Sequence, residues 1–381
     1  MNKLDAFSFM NNLNFKNIGN KRNKWLNSGE DTLINTNSHL ERVTNKIKRD
    51  NITLKVSEIL DKKKYKVITL KGLYEEELPL FKAGEKSSIT IFIDDKIYSK
   101  SYTIISSPSR CFNSEYKIAL RDSDNVVDNY LFNSIKVGEC VVVSNPFGEF
   151  YYNSIRDQKD VLAIVSGDGI YPIMSMIYAI LDNTENFNLT VFYTEKKFED
   201  ILFYEELVDI NYKNNNVKIE FFLSNENKKD FVKGFVTKDK IREVINNKNV
   251  SLYLSGNEGL LKYLNKELEE LKLPKKLIRY EDYLPVCNIK KVQEYNLILY
   301  INNEKHELPC YNNKTIIQAI YDSGIYIPNK CNVGSCGFCK SELISGEVKI
   351  VNDKRSDVDK KYNYIHPCST YPLSDLKIIV R

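Results

Sequence analysis

What this chain lacks narrows its role first. It has no excess of either charge: 55 basic and 51 acidic residues are interspersed and leave a formal net charge of +4. That balance excludes a basic stripe for nucleic acid and a polybasic patch for a membrane surface. No apolar run approaches the ~18–20 residues needed to span a bilayer. Residues Met1–Asn20 mix Asn and Lys with scattered Phe and lack the apolar core of a signal peptide. Histidine is scarce, and His39, His306 and His366 stand in no pattern that points to acid–base catalysis; core or surface roles are expected for all three. A reducing, cytoplasmic setting is expected, where cysteines are metal ligands or buried thiols rather than disulfides.

What the chain does have is concentrated near its end. Four of its eight cysteines are Cys331, Cys336, Cys339 and Cys368, spaced Cys-x4-Cys-x2-Cys with a distant fourth. That spacing holds a plant-type 2Fe-2S cluster through four thiolates. Zinc sites more often use paired Cys-x2-Cys knuckles, so zinc or unligated thiols are the alternatives. Gly334, Ser335 and Gly337 between the sulfurs let the backbone curl around a bulky inorganic core and aim N–H groups at it. Cys111, Cys140, Cys287 and Cys310 lack ligand spacing and read as core or linker thiols.

The 381 residues suffice for several domains. Residues 1–50, rich in Asn, Lys and Ser, read as an N-terminal extension with a helix over Ser38–Lys48, either an appendage or a docking arm. Residues 51–153 carry short runs of Ile, Val, Tyr and Thr, among them Thr53–Leu60, Tyr65–Lys71, Ser88–Ile93, Ser101–Ile105, Tyr116–Arg121 and Glu139–Ser144. They predict an antiparallel β-barrel. Residues 154–287 alternate apolar runs (Val161–Val165, Leu189–Tyr193, Val217–Leu223, Leu252–Leu254) with amphipathic segments (Ile173–Leu181, Ile201–Val208, Lys238–Ile245, Gly259–Leu271). That is an α/β domain with a parallel sheet. Pro274–Lys291 has the composition of a linker. Residues 288–381 form an α+β unit of strands, one helix over Thr315–Ser323 and the cysteine loop.

Within the barrel, Lys100-Ser101-Tyr102-Thr103 followed by Ser106-Ser107-Pro108 resembles the flavin signature of the ferredoxin–NADP reductase superfamily, Arg-x-Tyr-Ser/Thr with Ser-x-Pro. The resemblance implies that Lys100 meets flavin phosphate, that Tyr102 packs on the isoalloxazine ring and that Thr103 approaches its reactive nitrogen, with Ser106 close by. Lys in place of Arg keeps the charge and loses the bidentate fork. Asn129-Tyr130-Leu131, Lys136-Val137-Gly138-Glu139 and Pro146-Phe147-Gly148-Glu149-Phe150 follow in the family's order. Relatives place a Gly-rich turn near the flavin pyrophosphate, whereas this chain has Asp124-Asn125-Val126-Val127-Asp128, whose carboxylates would repel phosphate. FAD is the first choice of flavin and FMN the alternative.

Ser166-Gly167-Asp168-Gly169-Ile170-Tyr171-Pro172, directly after an apolar strand, is similar to the family's Gly-Gly-x-Gly-Ile-Thr-Pro nicotinamide loop, with phosphates approaching backbone N–H groups at a helix N-terminus. Ser166 and Tyr171 replace Gly and Thr. Tyr253-Leu254-Ser255-Gly256-Asn257-Glu258 resembles Tyr-x-Cys-Gly-Pro-Glu, with Ser255 for the Cys beside the nicotinamide and Gly256 retained. Thr194, Lys196 and Lys197 fall where such folds read the ribose 2′-substituent, with Glu195 among them, so NADH and NADPH both stay open.

The last block resembles plant-type ferredoxins from about Tyr295 onward, including His366-Pro367-Cys368. Residues ~50–381 thus share the order flavin, nucleotide, cluster with reductases of the phthalate dioxygenase, vanillate demethylase and hybrid-cluster-protein types. The resemblance implies a reductase passing electrons from NAD(P)H through flavin and cluster to a protein acceptor, an oxygenase or another redox metalloprotein. The alternatives are an electron-transfer subunit whose flavin is reduced by a partner, and a redox sensor without turnover.

Overall fold

Strand periodicity in the first half of the chain becomes a curled sheet. The computed structural model describes residues 51–73, 78–93, 96–245, 249–281, 291–351 and 353–380. The N-terminal extension with its expected helix Ser38–Lys48, and Cys287, lie outside them. Strands β1 (Asn51–Asp61), β2 (Lys66–Gly72), β3 (Lys86–Ile93), β4 (Lys96–Thr103), β5 (Glu115–Leu120) and β6 (Cys140–Ser144) pair in the order β4-β3-β6-β1-β2-β5. The named pairings are antiparallel. A bridge between Ile104 and Ile118 draws the two outer strands together, so the sheet curls into a half-barrel. Alternation of side chains along each strand sends Leu54, Val56, Ile68, Ile89 and Ile118 into one core. Between β5 and β6 a short helix α1 (Val126–Asn129) is capped by Asn125, whose Oδ1 accepts from the N–H groups of Val127 and Asp128.

The second sheet is parallel, in the order β10-β9-β8-β7-β11-β12. Its strands are β7 (Asp160–Val165), β8 (Asn188–Glu195), β9 (Val217–Leu223), β10 (Val232–Lys233), β11 (Val250–Ser255) and β12 (Ile278–Tyr280). Helices α2 (Ile170–Leu181), α3 (Tyr204–Lys213), α4 (Lys238–Ile245) and α5 (Glu258–Leu271) connect them. The strands are continuous apolar runs because both faces are covered: Ala163, Val165 and Val191 pack with α2 and α3, whereas Leu162, Ile164 and Leu252 pack with α4 and α5. Strand order reverses between β7 and β11, and ligands of open α/β sheets bind at the carboxyl ends of such a pair. The expected linker Pro274–Lys291 needs correction at its start. Lys275–Leu277 forms a 3-10 turn and Ile278–Tyr280 joins the sheet beside Leu252–Leu254. A three-residue strand is too short to show a period.

The third unit pairs β13 (Glu294–Ile301), β14 (Glu304–Tyr311), β15 (Ser341–Ser345), β17 (Tyr364–Ile365) and β19 (Leu376–Val380) in the order β14-β13-β19-β15-β17. Helix α6 (Ile316–Asp322), N-capped by Thr315, covers it, while β16 (Val348–Ile350) pairs with β18 (Thr370–Pro372) and α7 (Asp357–Lys361) precedes β17. Cys111 and Cys310 are buried as expected of core thiols, whereas Cys140, at the first position of β6, is exposed.

The segment leaving the half-barrel is tied to the parallel sheet by a buried network. Tyr253 Oη, with one proton to donate, lies 2.8 Å from Asp157 Oδ2 and 2.9 Å from the Tyr151 carbonyl, and Arg279 pairs with Asp157 at 2.8 Å. Tyr253→Phe removes that shared donor and is expected to lower stability by about 1–3 kcal/mol, read as a fall in the urea midpoint.

Candidate functional site

One cavity of about 730 Å³ gathers residues from the half-barrel, the parallel α/β unit and the cysteine loop: Lys100, Tyr102 and Thr103 of β4, Asp168 and Tyr171 beyond β7, and Cys331. Of the barrel residues expected to meet a flavin, Ser106 is not in this wall. Its Oγ accepts from the Lys117 N–H at 3.2 Å and its carbonyl from Ser175 Oγ at 3.1 Å.

Tyr102 and Lys100 converge on a partner that sequence spacing did not single out for them. Tyr102 Oη donates to Asp128 Oδ1 at 2.6 Å, while Ser123 Oγ at 2.5 Å and Lys100 Nζ engage Oδ2. Burial pushes the Tyr102 phenol well up, and the Asp128 charge adds to the shift. Asp128, 4% exposed, therefore does not confront a phosphate; it anchors Lys100 and Tyr102. The donor set suits a flavin. An aromatic wall of Tyr102, Phe147 and Phe150 is flanked by the Thr103 hydroxyl. Cations Lys63, Lys64, Lys86, Lys100 and Arg121 are matched by Asp122, Asp128, Glu149, Asp168 and Glu281. Gly84, at φ 105°, makes that wall possible, since a Cβ there would sit 2.2 Å from the Phe150 carbonyl oxygen.

At the carboxyl ends of β7 and β11 the two expected nucleotide loops press together. Ser166 N–H donates to the Ser255 carbonyl at 3.1 Å, and a Cβ on Gly169 would lie 2.5 Å from the same oxygen. A Cβ on Gly256 would strike Ser166 Oγ at 2.5 Å. Ile170 and Pro172, in the first turn of α2, are buried in the core instead of facing the cavity. Tyr171 lines the cavity, packs edge-on against Phe203, and has its phenol pushed well up by burial with Asp168 adding. Ser255 is fully buried and donates to Glu281 Oε2, and Glu281 pairs with Lys86 at 2.6 Å. Thr194 is buried and Lys196 exposed. Between them Glu195 accepts from the Gly167 N–H, a backbone donor that a phosphate would use. Burial raises the Glu195 carboxyl to about 6, against the lowering effect of that N–H. Arg121 Nε pairs with Asp168 Oδ1 at 2.7 Å across the cavity mouth.

The four expected cluster cysteines do come together. Cys339 and Cys368 sulfurs are 3.4 Å apart, and the Cys331 sulfur lies within hydrogen-bonding reach of Cys336 and Cys368. Backbone N–H groups of Val333 and Phe338 point at Cys331 and Cys336 Sγ at 3.4 and 3.5 Å. Gly334, at φ 75°, would drive a Cβ to 2.2 Å from Ser369 Oγ, and Gly337 has φ 68°. His366, 2% exposed, donates from Nδ1 to the Gly334 carbonyl at 2.6 Å, so this core histidine buttresses the loop. Thiolates, inward N–H groups and obligatory glycines fit a 2Fe-2S cluster held by Cys331, Cys336, Cys339 and Cys368.

Sequence reasoning missed Lys86, Arg121 and Glu281. Glu281 sits within the stretch of linker composition, where only the neighbouring Leu277-Ile278 hinted at a strand.

Comparison with known proteins agrees with this arrangement. Residues 164–266 match the oxidoreductase NAD-binding domain and residues 299–373 the 2Fe-2S iron-sulfur cluster binding domain. The chain is 24% identical over 322 residues to the glycine betaine monooxygenase reductase subunit of Chromohalobacter salexigens, covering 78% of this chain and 87% of that protein. It is 24% identical over 281 residues to NADH oxidoreductase HCR of Escherichia coli, with 73% and 82% covered. A flavohemoprotein of Oceanobacillus iheyensis is 27% identical over 228 residues, 57% of this chain and 55% of that protein, so the chain spans about half its length. Among solved structures, phthalate dioxygenase reductase superposes with a TM-score of 0.64 at 19% identity, covering 88% of this chain and 99% of that one, and so shares its fold.

The Glu195 carboxylate on the Gly167 N–H competes with a nucleotide phosphate while it is ionised. Protonation through about pH 6 removes the competing charge, so ADP-ribose is expected to bind more tightly as pH falls through that value. Titration calorimetry on Glu195→Gln should find tight binding whose pH dependence is gone.

Proposed function

We propose that this chain, which belongs to the ferredoxin–NADP reductase superfamily and ends in a plant-type 2Fe-2S domain, passes electrons from a nicotinamide dinucleotide through FAD and the cluster to a protein acceptor. The observation that carries the reading is the shared cavity, whose wall holds both Tyr102 and Thr103 of the flavin signature and the cluster ligand Cys331. A bound flavin accepts two electrons together and releases them singly, which matches a two-electron donor to a one-electron cluster. The protein's own residues position and screen. Tyr102 is immobilised by Asp128 and faces the cavity with Thr103. Lys86, held by Glu281, puts a fixed cation at the end nearest Ser255. Arg121 and Asp168 pair in the cavity wall.

We assign residues 51–153 to the flavin unit, 154–287 to the nucleotide unit and 288–381 to the cluster unit. Among the described residues no helix is long and apolar enough to cross a membrane. Thiols kept reduced for a cluster suit the cytoplasm. The acceptor is an oxygenase or another redox metalloprotein; relatives named as reductase subunits of monooxygenases favour the former.

A second reading has a specific observation behind it. Glu195 occupies the Gly167 N–H and Ser255 is engaged by Glu281, so the nicotinamide end is already partnered within the chain. In that case the flavin is reduced by a protein partner. Anaerobic addition of NADH and, separately, NADPH to the purified protein distinguishes the two. The direct-donor reading expects flavin bleaching followed by cluster reduction; bleaching by neither nucleotide, with ready reduction by dithionite, would sink it. Cys336→Ala is expected to abolish the cluster's visible and paramagnetic signals while nucleotide-driven flavin bleaching persists.

A further inference from the structure

Cys331 reaches the cavity on a loop that the half-barrel grips from behind. Ser88 on β3 and Ser101 on β4 face each other in register, their Oγ atoms 3.1 Å apart. Ser101 Oγ donates to the Cys331 carbonyl at 3.0 Å, and Ser88 Oγ donates to the carbonyl of Lys330. Asn332 Nδ2 reaches both hydroxyls, at 3.4 Å for Ser88 and 3.3 Å for Ser101, while its Oδ1 accepts from Asn329 Nδ2. Ser88, Asn329 and Asn332 are 2%, 7% and 6% exposed. Asn332 also has φ 56°, a left-handed conformation that glycine adopts at less cost. The asparagine combines a tolerated left-handed turn with an amide that reaches both hydroxyls.

We propose that Asn332, with Ser88 and Ser101, is a latch that fixes Cys331 against the flavin cavity and sets the rate of electron passage between flavin and cluster. This rests on the flavin and cluster reading given above. In the step concerned, one electron leaves the reduced flavin and enters the oxidised cluster, and no bond is made or broken to the latch. Asn332 is a positioning residue. Electron passage weakens with separation, so a loop released from the latch slows the step.

The test uses full-length protein carrying both groups, with the flavin reduced photochemically by a deazaflavin flash so that no nucleotide is involved. Asn332→Gly keeps the left-handed turn and removes the amide; Ser88→Ala breaks the latch from the barrel side. Both are expected to slow cluster bleaching several-fold. The paramagnetic spectrum of the dithionite-reduced cluster should be unchanged, and amide hydrogen exchange at residues 330–333 should quicken. Wild-type bleaching rates in both variants overturn the latch, as does faster exchange without slower transfer. If Asn332→Gly loses the cluster, Ser88→Ala decides. A wild-type protein that binds no flavin overturns the functional reading instead, a result separate from either latch outcome.

Discussion

Two bound redox groups exchange electrons only if the chain holds them within short reach, and here that reach is set by one seam of hydrogen bonds. The seam joins Ser88 and Ser101, paired near one end of the β3–β4 ladder, to the backbone of Lys330 and Cys331. Everything on either side has its place relative to it. Lys100, Ser101, Tyr102 and Thr103 all line the cavity, so the strand that holds the loop also forms the cavity wall. Behind the loop, His366 and Ser369 bracket Gly334, leaving room for backbone alone.

Charge in the cavity is balanced locally. Lys100 pairs with Asp128, Lys86 with Glu281 and Arg121 with Asp168. Asp128 and Glu281 are buried, so removing Lys100 or Lys86 strands a carboxylate at a cost of several kcal/mol, whereas the half-exposed Arg121–Asp168 pair contributes little. The Lys100–Asp128 pair changes what the flavin signature does in this chain. In place of an Arg fork presented to phosphate, a lysine and a tyrosine are locked by a common carboxylate, and orientation of Tyr102 becomes the main product of the motif.

The nucleotide end is organised by close backbone approach. Gly169 and Gly256 permit the β7 and β11 loops to touch, and that contact buries Ser255 completely. Glu195 then fills the vacant donor at Gly167 from the end of β8, which couples nucleotide access to the ionisation of one carboxyl. Such an arrangement favours a ligand able to displace an internal anion over one that merely drifts into a preformed cradle.

Local features were legible in the sequence because their causes are local. The runs Val161–Val165 and Val217–Leu223 read as strands since a parallel sheet buries both faces, and the cysteine spacing with Gly334 and Gly337 reads as a cluster loop since the sulfurs and the turn lie within nine residues. Lys238–Ile245 falls where its amphipathic pattern puts it. Tertiary structure alone decided the partners. Asp128 comes to Lys100 from 28 residues away, Glu281 to Ser255 from 26, and Ser88 to Lys330 from 242. No period or propensity encodes such pairs, because they depend on which strands become neighbours and which loops converge at the carboxyl ends of a sheet. The cysteine spacing by itself pointed to a four-sulfur site of the plant-type cluster kind. Where Cys331 would sit relative to Tyr102 was decided by the docking of one fold unit on another.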